Sequence, residues 1–181
     1  MNNNESFLLT TTQLKPRIAD RIEELVLSGG WFYMPDCAYR IGDPALKGRP
    51  HNPYMSRGLL NEDGVKSADY DSFPWHHFSR AAGFDGLPMI RAHVTFQWPK
   101  ANFGIPHNSH VDQPIPHYVA LYYVNDTDGD TFFYDDDGNV DCRITPEKGK
   151  LITFDGTKKY HASSSPSSNI RMTLNVNYEN L

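Results

Sequence analysis

From Met89 onward, apolar and polar side chains alternate in short runs broken by turn residues. This rhythm constrains the fold more than any other feature of the chain. Residues 90–98 put Arg91, His93, Thr95 and Gln97 on one face and Ile90, Ala92, Val94, Phe96 and Trp98 on the other. Residues 171–178 repeat the pattern, with Arg171, Thr173, Asn175 and Asn177 opposite Met172, Leu174, Val176 and Tyr178. Side chains on a strand alternate with period two, so each run predicts a strand with one polar and one apolar face. Alternation alone leaves open which face of the first run turns inward, so His93 and Gln97 are only candidates for lining a cavity. Between these runs, residues 117–125 read as an apolar, aromatic strand. Asp128-Gly129 is a turn, and residues 131–134 form the return strand. Asp137-Gly138 is a second turn, followed by short strands at 140–144 and 151–154.

The N-terminal part has a different texture. Residues 1–12 read as a frayed tail. Ile18, Ile22, Leu25 and Val26 have helical spacing, so a helix is predicted over 16–27, with Pro16 tolerated in its first turn. Ser28-Gly29-Gly30 stops it, and residues 31–34 form a short aromatic strand ended by Pro35. Residues 42–72 mix Gly, Pro, Asn and Asp and are read as mostly loop with a short helix. A loop of that length is a candidate lid over a substrate site. Phe73-Pro74-Trp75-His76-His77-Phe78 is an aromatic cluster, either a packed edge of the core or a wall of the substrate pocket. Roughly eight short strands behind a helical N-terminal part describe a mainly β, α+β chain with a jelly-roll or cupin-like barrel. The expected organisation is one domain over 1–181, with 1–72 as helical and loop support and 73–181 as the barrel.

The bulk numbers narrow the functional classes. A length of 181 residues suits one domain, and 39% hydrophobic with 13% aromatic residues can build a core. A net charge of −5 argues against a nucleic-acid partner, which normally needs a basic face. The two cysteines, Cys37 and Cys142, read as reduced thiols of a cytoplasmic protein. The first residues are polar, and no apolar run approaches the ~18 residues of a membrane span.

The candidate chemistry opens with His110-Val111-Asp112, placed where a strand should begin, so that both side chains share a face. Taken alone, His-x-Asp is a weak signal. His161, after the strand that ends in Phe154-Asp155-Gly156, would complete a 2-His-1-carboxylate set, which holds a metal from one side and leaves the other open. Arg171 follows ten residues later and opens a strand whose other face is apolar. An inward guanidinium needs a partner, and a dicarboxylic acid supplies one through two parallel hydrogen bonds. Other signals weigh less. Asp126-Thr127-Asp128-Gly129-Asp130 lacks the Gly and Glu of a calcium loop and reads as a solvated turn. His107 and His117 flank the motif but fall outside the spaced pair. His76 and His77 are adjacent, so on a strand they would point apart. No nucleophile with a partner base stands out, which leaves acyl transfer unsupported.

His110-Val111-Asp112, His161 and Arg171, in that order, resemble the Fe(II)/2-oxoglutarate-dependent oxygenases of the double-stranded β-helix fold. The resemblance is to their prolyl-hydroxylase-like branch, of the type found in marine phages and bacteria, and covers residues 73–180. Leu121-Tyr122-Tyr123-Val124-Asn125, Gly129-Asp130-Thr131-Phe132, Leu151-Ile152-Thr153-Phe154-Asp155 and Arg171-Met172-Thr173-Leu174-Asn175 look like its successive barrel strands. One departure is Gly129-Asp130-Thr131, where prolyl hydroxylases usually carry Gly-Gly-Glu-Thr. The resemblance implies Fe(II) held by His110, Asp112 and His161. It implies 2-oxoglutarate chelating that iron, with its far carboxylate on Arg171 and with Tyr123 and Thr173 as hydroxyl donors. Dioxygen is the further reactant and ascorbate a supporting reductant. The implied reaction is hydroxylation of a substrate C–H bond, with release of succinate and CO2. Asp112 favours hydroxylation, since the family's halogenases lack that carboxylate. A prolyl residue of a peptide or protein is the first substrate by resemblance, and a free amino acid or small metabolite the second. The ligand set alone also fits a non-catalytic cupin-like metal-binding module or a zinc enzyme on the same scaffold.

Overall fold

The computed structural model describes residues 8–35 and 52–180. Two antiparallel sheets face each other, as in a jelly roll. The larger has seven strands: β1 (Leu8–Gln13), β2 (Phe32–Met34), β3 (Tyr54–Leu60), β4 (Met89–Gln97), β5 (His117–Tyr123), β8 (Lys150–Asp155) and β10 (Arg171–Glu179). Their spatial order is β1-β8-β5-β10-β4-β3-β2. The smaller has the order β7-β6-β9, from β6 (Thr131–Tyr134), β7 (Val140–Ile144) and β9 (His161–Ser163). Helices α1 (Pro16–Ser28) and α2 (Trp75–Ala82) cover the outer face of the larger sheet.

The alternation read in the sequence is what divides the core. Ala120 and Tyr122 of β5 and Val124 just after it join Leu174, Val176 and Tyr178 of β10 and Ala92 and Val94 of β4 beneath Ile22, Leu25 and Val26 of α1 and Phe78 of α2. The intervening Val119, Leu121 and Tyr123 point the other way, into a second cluster between the sheets with Phe133, Ile152 and Phe154. Burying a Val, Leu or Phe side chain contributes about 1.5–3 kcal/mol each, so both faces of β5 hold the barrel together. Lys148 fastens α1 to the β7–β8 loop by pairing with Asp20 at 2.8 Å and Glu23 at 2.6 Å. Helix α2 ends on Gly83 at φ 76°, a left-handed conformation that glycine adopts without strain.

Several expectations change. The frayed tail is in part a strand: Thr10 to Gln13 pair with Lys150 to Thr153, and the Thr10 and Thr153 hydroxyls meet at 2.8 Å. Its threonines carry no apolar alternation, but β-branched side chains fit a pleated surface once a partner strand is present. The stretch 42–72, read as mostly loop with a short helix, also holds a strand within its described part, 52–72. Tyr54–Leu60 is a strand paired with β4, with a register shift between Gly58 and Leu60. A short 3₁₀ turn follows at Tyr70–Ser72. The Gly and polar residues mimicked a loop signal, and pairing with β4 overrode it. A lid spanning all of 42–72 is therefore excluded, because its middle is built into the sheet; residues 42–51 and Cys37 lie outside the described residues. The aromatic cluster is the packed edge of the core, with Phe73 4% and Phe78 1% exposed. His76 and His77 lie on helix α2, not on a strand.

Candidate metal and carboxylate site

The two polar faces read in the sequence lie side by side. Strands β4 and β10 pair so that Arg171 faces Gln97, Thr173 faces Thr95, Asn175 faces His93 and Asn177 faces Arg91. This ladder of polar pairs forms one wall of a cavity of about 800 Å³ between the sheets. Polar residues face inward on both strands, which answers the question that alternation left open.

At one end of the ladder stand the three candidate metal ligands. One ligand atom from each of His110, Asp112 and His161 lies within 4.8 Å of the others. His161 begins β9. His110 is not on a regular strand: it forms an isolated antiparallel bridge to His161, each residue's N–H donating to the other's carbonyl at 3.0 Å. A second bridge joins Pro106 to Ser164, so the approach to His110 runs along β9. Four steps on that side, from 106 to 110, match three on the other, from 164 back to 161 at the start of β9. This one-residue slip, of the kind a bulge makes, breaks the expected strand and aims His110 beside His161, with ring centroids 4.6 Å apart.

The ring nitrogens are already assigned. Nδ1 of His110 lies 3.3 Å from the Asn108 carbonyl, and Nδ1 of His161 lies 3.4 Å from the Lys159 carbonyl. A carbonyl only accepts, so Nδ1 carries the proton and Nε2 presents its lone pair. Both Nε2 atoms face Asp112 Oδ1, at 3.6 Å and 3.7 Å. Burial lowers the His161 pKa to about 4, outweighing the pull of Asp112, so the ring is neutral and able to ligate. Burial would raise the Asp112 carboxyl, but the two histidine rings and the Arg91 guanidinium beside it hold it well below the usual carboxylate range. Two imidazoles presenting Nε2 and one carboxylate are a donor set that fits a divalent transition metal.

Arg171 occupies the other end, 3% exposed. Its Nε donates to the Gly129 carbonyl at 2.7 Å, one Nη to Gln97 Oε1 at 3.4 Å and the other to Thr131 Oγ1 at 3.0 Å. The guanidinium carbon sits 5.9 Å from the Tyr123 ring centroid. Gly129 is required here, since a Cβ would lie 2.9 Å from both Arg171 Cδ and the Ser164 carbonyl. Thr173 lines the cavity and shares a 2.7 Å hydrogen bond with Thr95. Tyr123 is fully buried, and burial pushes its hydroxyl up to about 12, so it stays protonated and donates to Thr131 Oγ1 at 2.8 Å. Thr131 thus accepts from both Tyr123 and Arg171, which leaves its own proton to be donated elsewhere, and Thr131 lines the cavity. The sequence marks Thr131 only as the start of a strand, and its place directly after Gly129-Asp130 is the available signal for more.

The flanking histidines are engaged elsewhere. His107 contacts Ser163 at 3.2 Å and Ser165 at 3.1 Å, and His117 Nδ1 contacts the Ile115 carbonyl at 2.8 Å. Sequence reasoning also missed Asn175 and Asn177, which donate to Asp112 Oδ2 at 2.9 Å and 3.1 Å. They were read only as polar members of an alternating strand. Among the described residues, no helix is long and apolar enough to cross a membrane.

Sheet order and the inward-facing polar ladder define a double-stranded β-helix, a jelly roll. No family model matches the sequence. No curated protein sequence matches it either. Solved structures do. A 2OG-Fe(II) oxygenase family oxidoreductase from Burkholderia pseudomallei superposes with a TM-score of 0.69 at 13% identity, covering 93% of this chain and 84% of that one. A prolyl hydroxylase from Trichoplax adhaerens, in complex with a hypoxia-inducible-factor peptide fragment, gives 0.60 at 18% identity, over 97% and 84%. The non-haem α-ketoglutarate-dependent epimerase SnoN of nogalamycin biosynthesis gives 0.61 at 12% identity, over 94% and 75%. The likeness at these identities is one of fold.

Proposed function

We propose that the protein is an Fe(II)- and 2-oxoglutarate-dependent dioxygenase that hydroxylates a substrate C–H bond. The observation that carries this reading is one cavity with two complementary ends: His110, Asp112 and His161 converging at one, the buried Arg171 guanidinium at the other. A metal-binding barrel without catalysis has no need for the second end. His110 Nε2, His161 Nε2 and Asp112 Oδ1 would hold the iron from one side. Arg171 would bind the far carboxylate of 2-oxoglutarate, with the Thr131 and Thr173 hydroxyls beside it and Tyr123 supporting Thr131 from behind. Such charge-assisted hydrogen bonds contribute ~1.5–3 kcal/mol each and fix which end of the dicarboxylate faces the metal. Bound there, Fe(II) with 2-oxoglutarate and dioxygen would supply the oxidation that couples release of succinate and CO2 to C–H hydroxylation.

The mouth of the cavity favours an extended substrate. Ser109 and Tyr160 line both the cavity and an adjoining surface groove of about 610 Å³. A chain lying in that groove could present one residue to the metal, which suits a prolyl residue of a peptide or protein. A succinate-release assay with Fe(II), ascorbate, proline peptides and free amino acids tests the reading. Release that depends on peptide and is lost in His161→Ala supports it; none with any substrate, and none uncoupled, rejects it.

A further inference from the structure

Asp112 lies at a bend, outside the named strands, so its own backbone gives it little regular support. Its two oxygens nevertheless have different surroundings. Oδ1 faces both histidine Nε2 atoms and lies 3.6 Å from an Arg91 Nη, whereas Oδ2 accepts the Asn175 and Asn177 side-chain amides at 2.9 Å and 3.1 Å. We propose that Asn175 and Asn177 are positioning residues that restrict Asp112 to one-oxygen ligation, with Arg91 setting the orientation of the pair. This rests on the metal site proposed above.

The hydrogen-bonding capacities permit one arrangement of the amides. Arg91 only donates, and its Nε lies 3.1 Å from the Asn177 side-chain oxygen. The Asn177 NH2 must then point the other way, toward Asp112 and toward the Asn175 oxygen at 3.1 Å. With its oxygen so used, Asn175 also turns its NH2 to Asp112. Ionised Asp112 only accepts, so the chain closes without conflict, and both donors land on the same oxygen. Carboxylates that ligate metals depend on such outer partners for orientation. A carboxylate free to bind through both oxygens would occupy a metal position that the co-substrate or dioxygen needs. On β10, one polar face thus does two jobs within six residues: Arg171 anchors the co-substrate and the asparagines fix the metal ligand.

The test uses Co(II) alone with the metal-free full-length chain, following affinity and the visible absorption of the bound ion. Wild type should bind one Co(II), and His161→Ala should lose it. Asn175→Ala/Asn177→Ala should bind Co(II) about 10–100-fold more weakly, with a changed spectrum marking altered coordination. The melting transition should remain. If the double variant lacks a melting transition, Asn175→Ser is read in the same way. Arg91→Gln keeps a donor to Asn177 but removes the 3.6 Å ion pair to Asp112 Oδ1, so the spectrum should be preserved while affinity changes. Wild-type affinity and spectrum in a folded asparagine variant overturn the positioning role while leaving the metal site standing. Wild-type Co(II) binding that survives His161→Ala overturns the site itself.

Discussion

The two ends of the β4–β10 ladder are built differently. At the Arg171 end the anchors Gln97 and Thr131 lie on strands β4 and β6, and Gly129 is fitted against the arginine stem. At the Asn177 end the sheet reaches outward to hold residues that lie off it, since Asp112 sits at a bend and His110 on an isolated bridge. Strand register therefore preforms the carboxylate end, while the metal end depends on long-range hydrogen bonds. The difference teaches that each end can be broken without the other.

The largest effect is expected at the metal end. His161→Ala removes one of the three proposed ligands and should abolish turnover, weakening Fe(II) binding well over tenfold in an anaerobic titration. Wild-type turnover in that variant would remove His161 from the site. Next comes the opposite end. Arg171→Ala deletes charge-assisted bonds contributing ~1.5–3 kcal/mol each, so the 2-oxoglutarate requirement should rise about 100-fold or more, with metal binding nearly unchanged. Arg171→Lys should recover part of it, since the charge survives but the planar fork is lost. Equal 2-oxoglutarate affinity in Arg171→Ala and wild type would put the carboxylate elsewhere.

Acidification should report on the metal end alone. Burial lowers His93 to about 3 and His161 to about 4, against an ordinary value of 6.5. Below that value the unfolded chain takes up protons that the native state refuses, so metal-free stability should fall as pH drops from about 6.5 toward 4. Asp112, held low, stays ionised through that window and adds its own loss only below its ordinary 3.8. His93→Gln should flatten the dependence of melting temperature on pH, and Arg171→Ala should not; an unchanged slope in His93→Gln would show that His93 protonates freely. The smallest effect is expected at Tyr123. Tyr123→Phe removes one hydrogen bond to Thr131, of about 0.5–1.5 kcal/mol, so 2-oxoglutarate binding should weaken only a few-fold. A loss as large as that of Arg171→Ala would instead place the Tyr123 hydroxyl on the ligand.

By itself the sequence determined the elements whose signal is local. Helix α1, strands β4, β5 and β10, and the polar row from Arg171 to Asn177 follow from periods of 3.6 and two, which any short window carries. The His-x-Asp pair, His161 and Arg171 were legible as chemistry because few residue types bind metal or pair with a carboxylate. Tertiary structure decided the rest. Strands β1 and β3 exist because partners stand beside them, which polar threonines and a Gly58 cannot announce. The one-residue slip beside β9 decided that His110 meets His161 off a regular strand. Register between β4 and β10 decided that Arg91 would lie across from Asn177 and that both asparagines would meet Asp112, sixty-three and sixty-five residues away in the chain. Contacts at such separations depend on how strands from distant parts of the chain are brought together, and no local period encodes that.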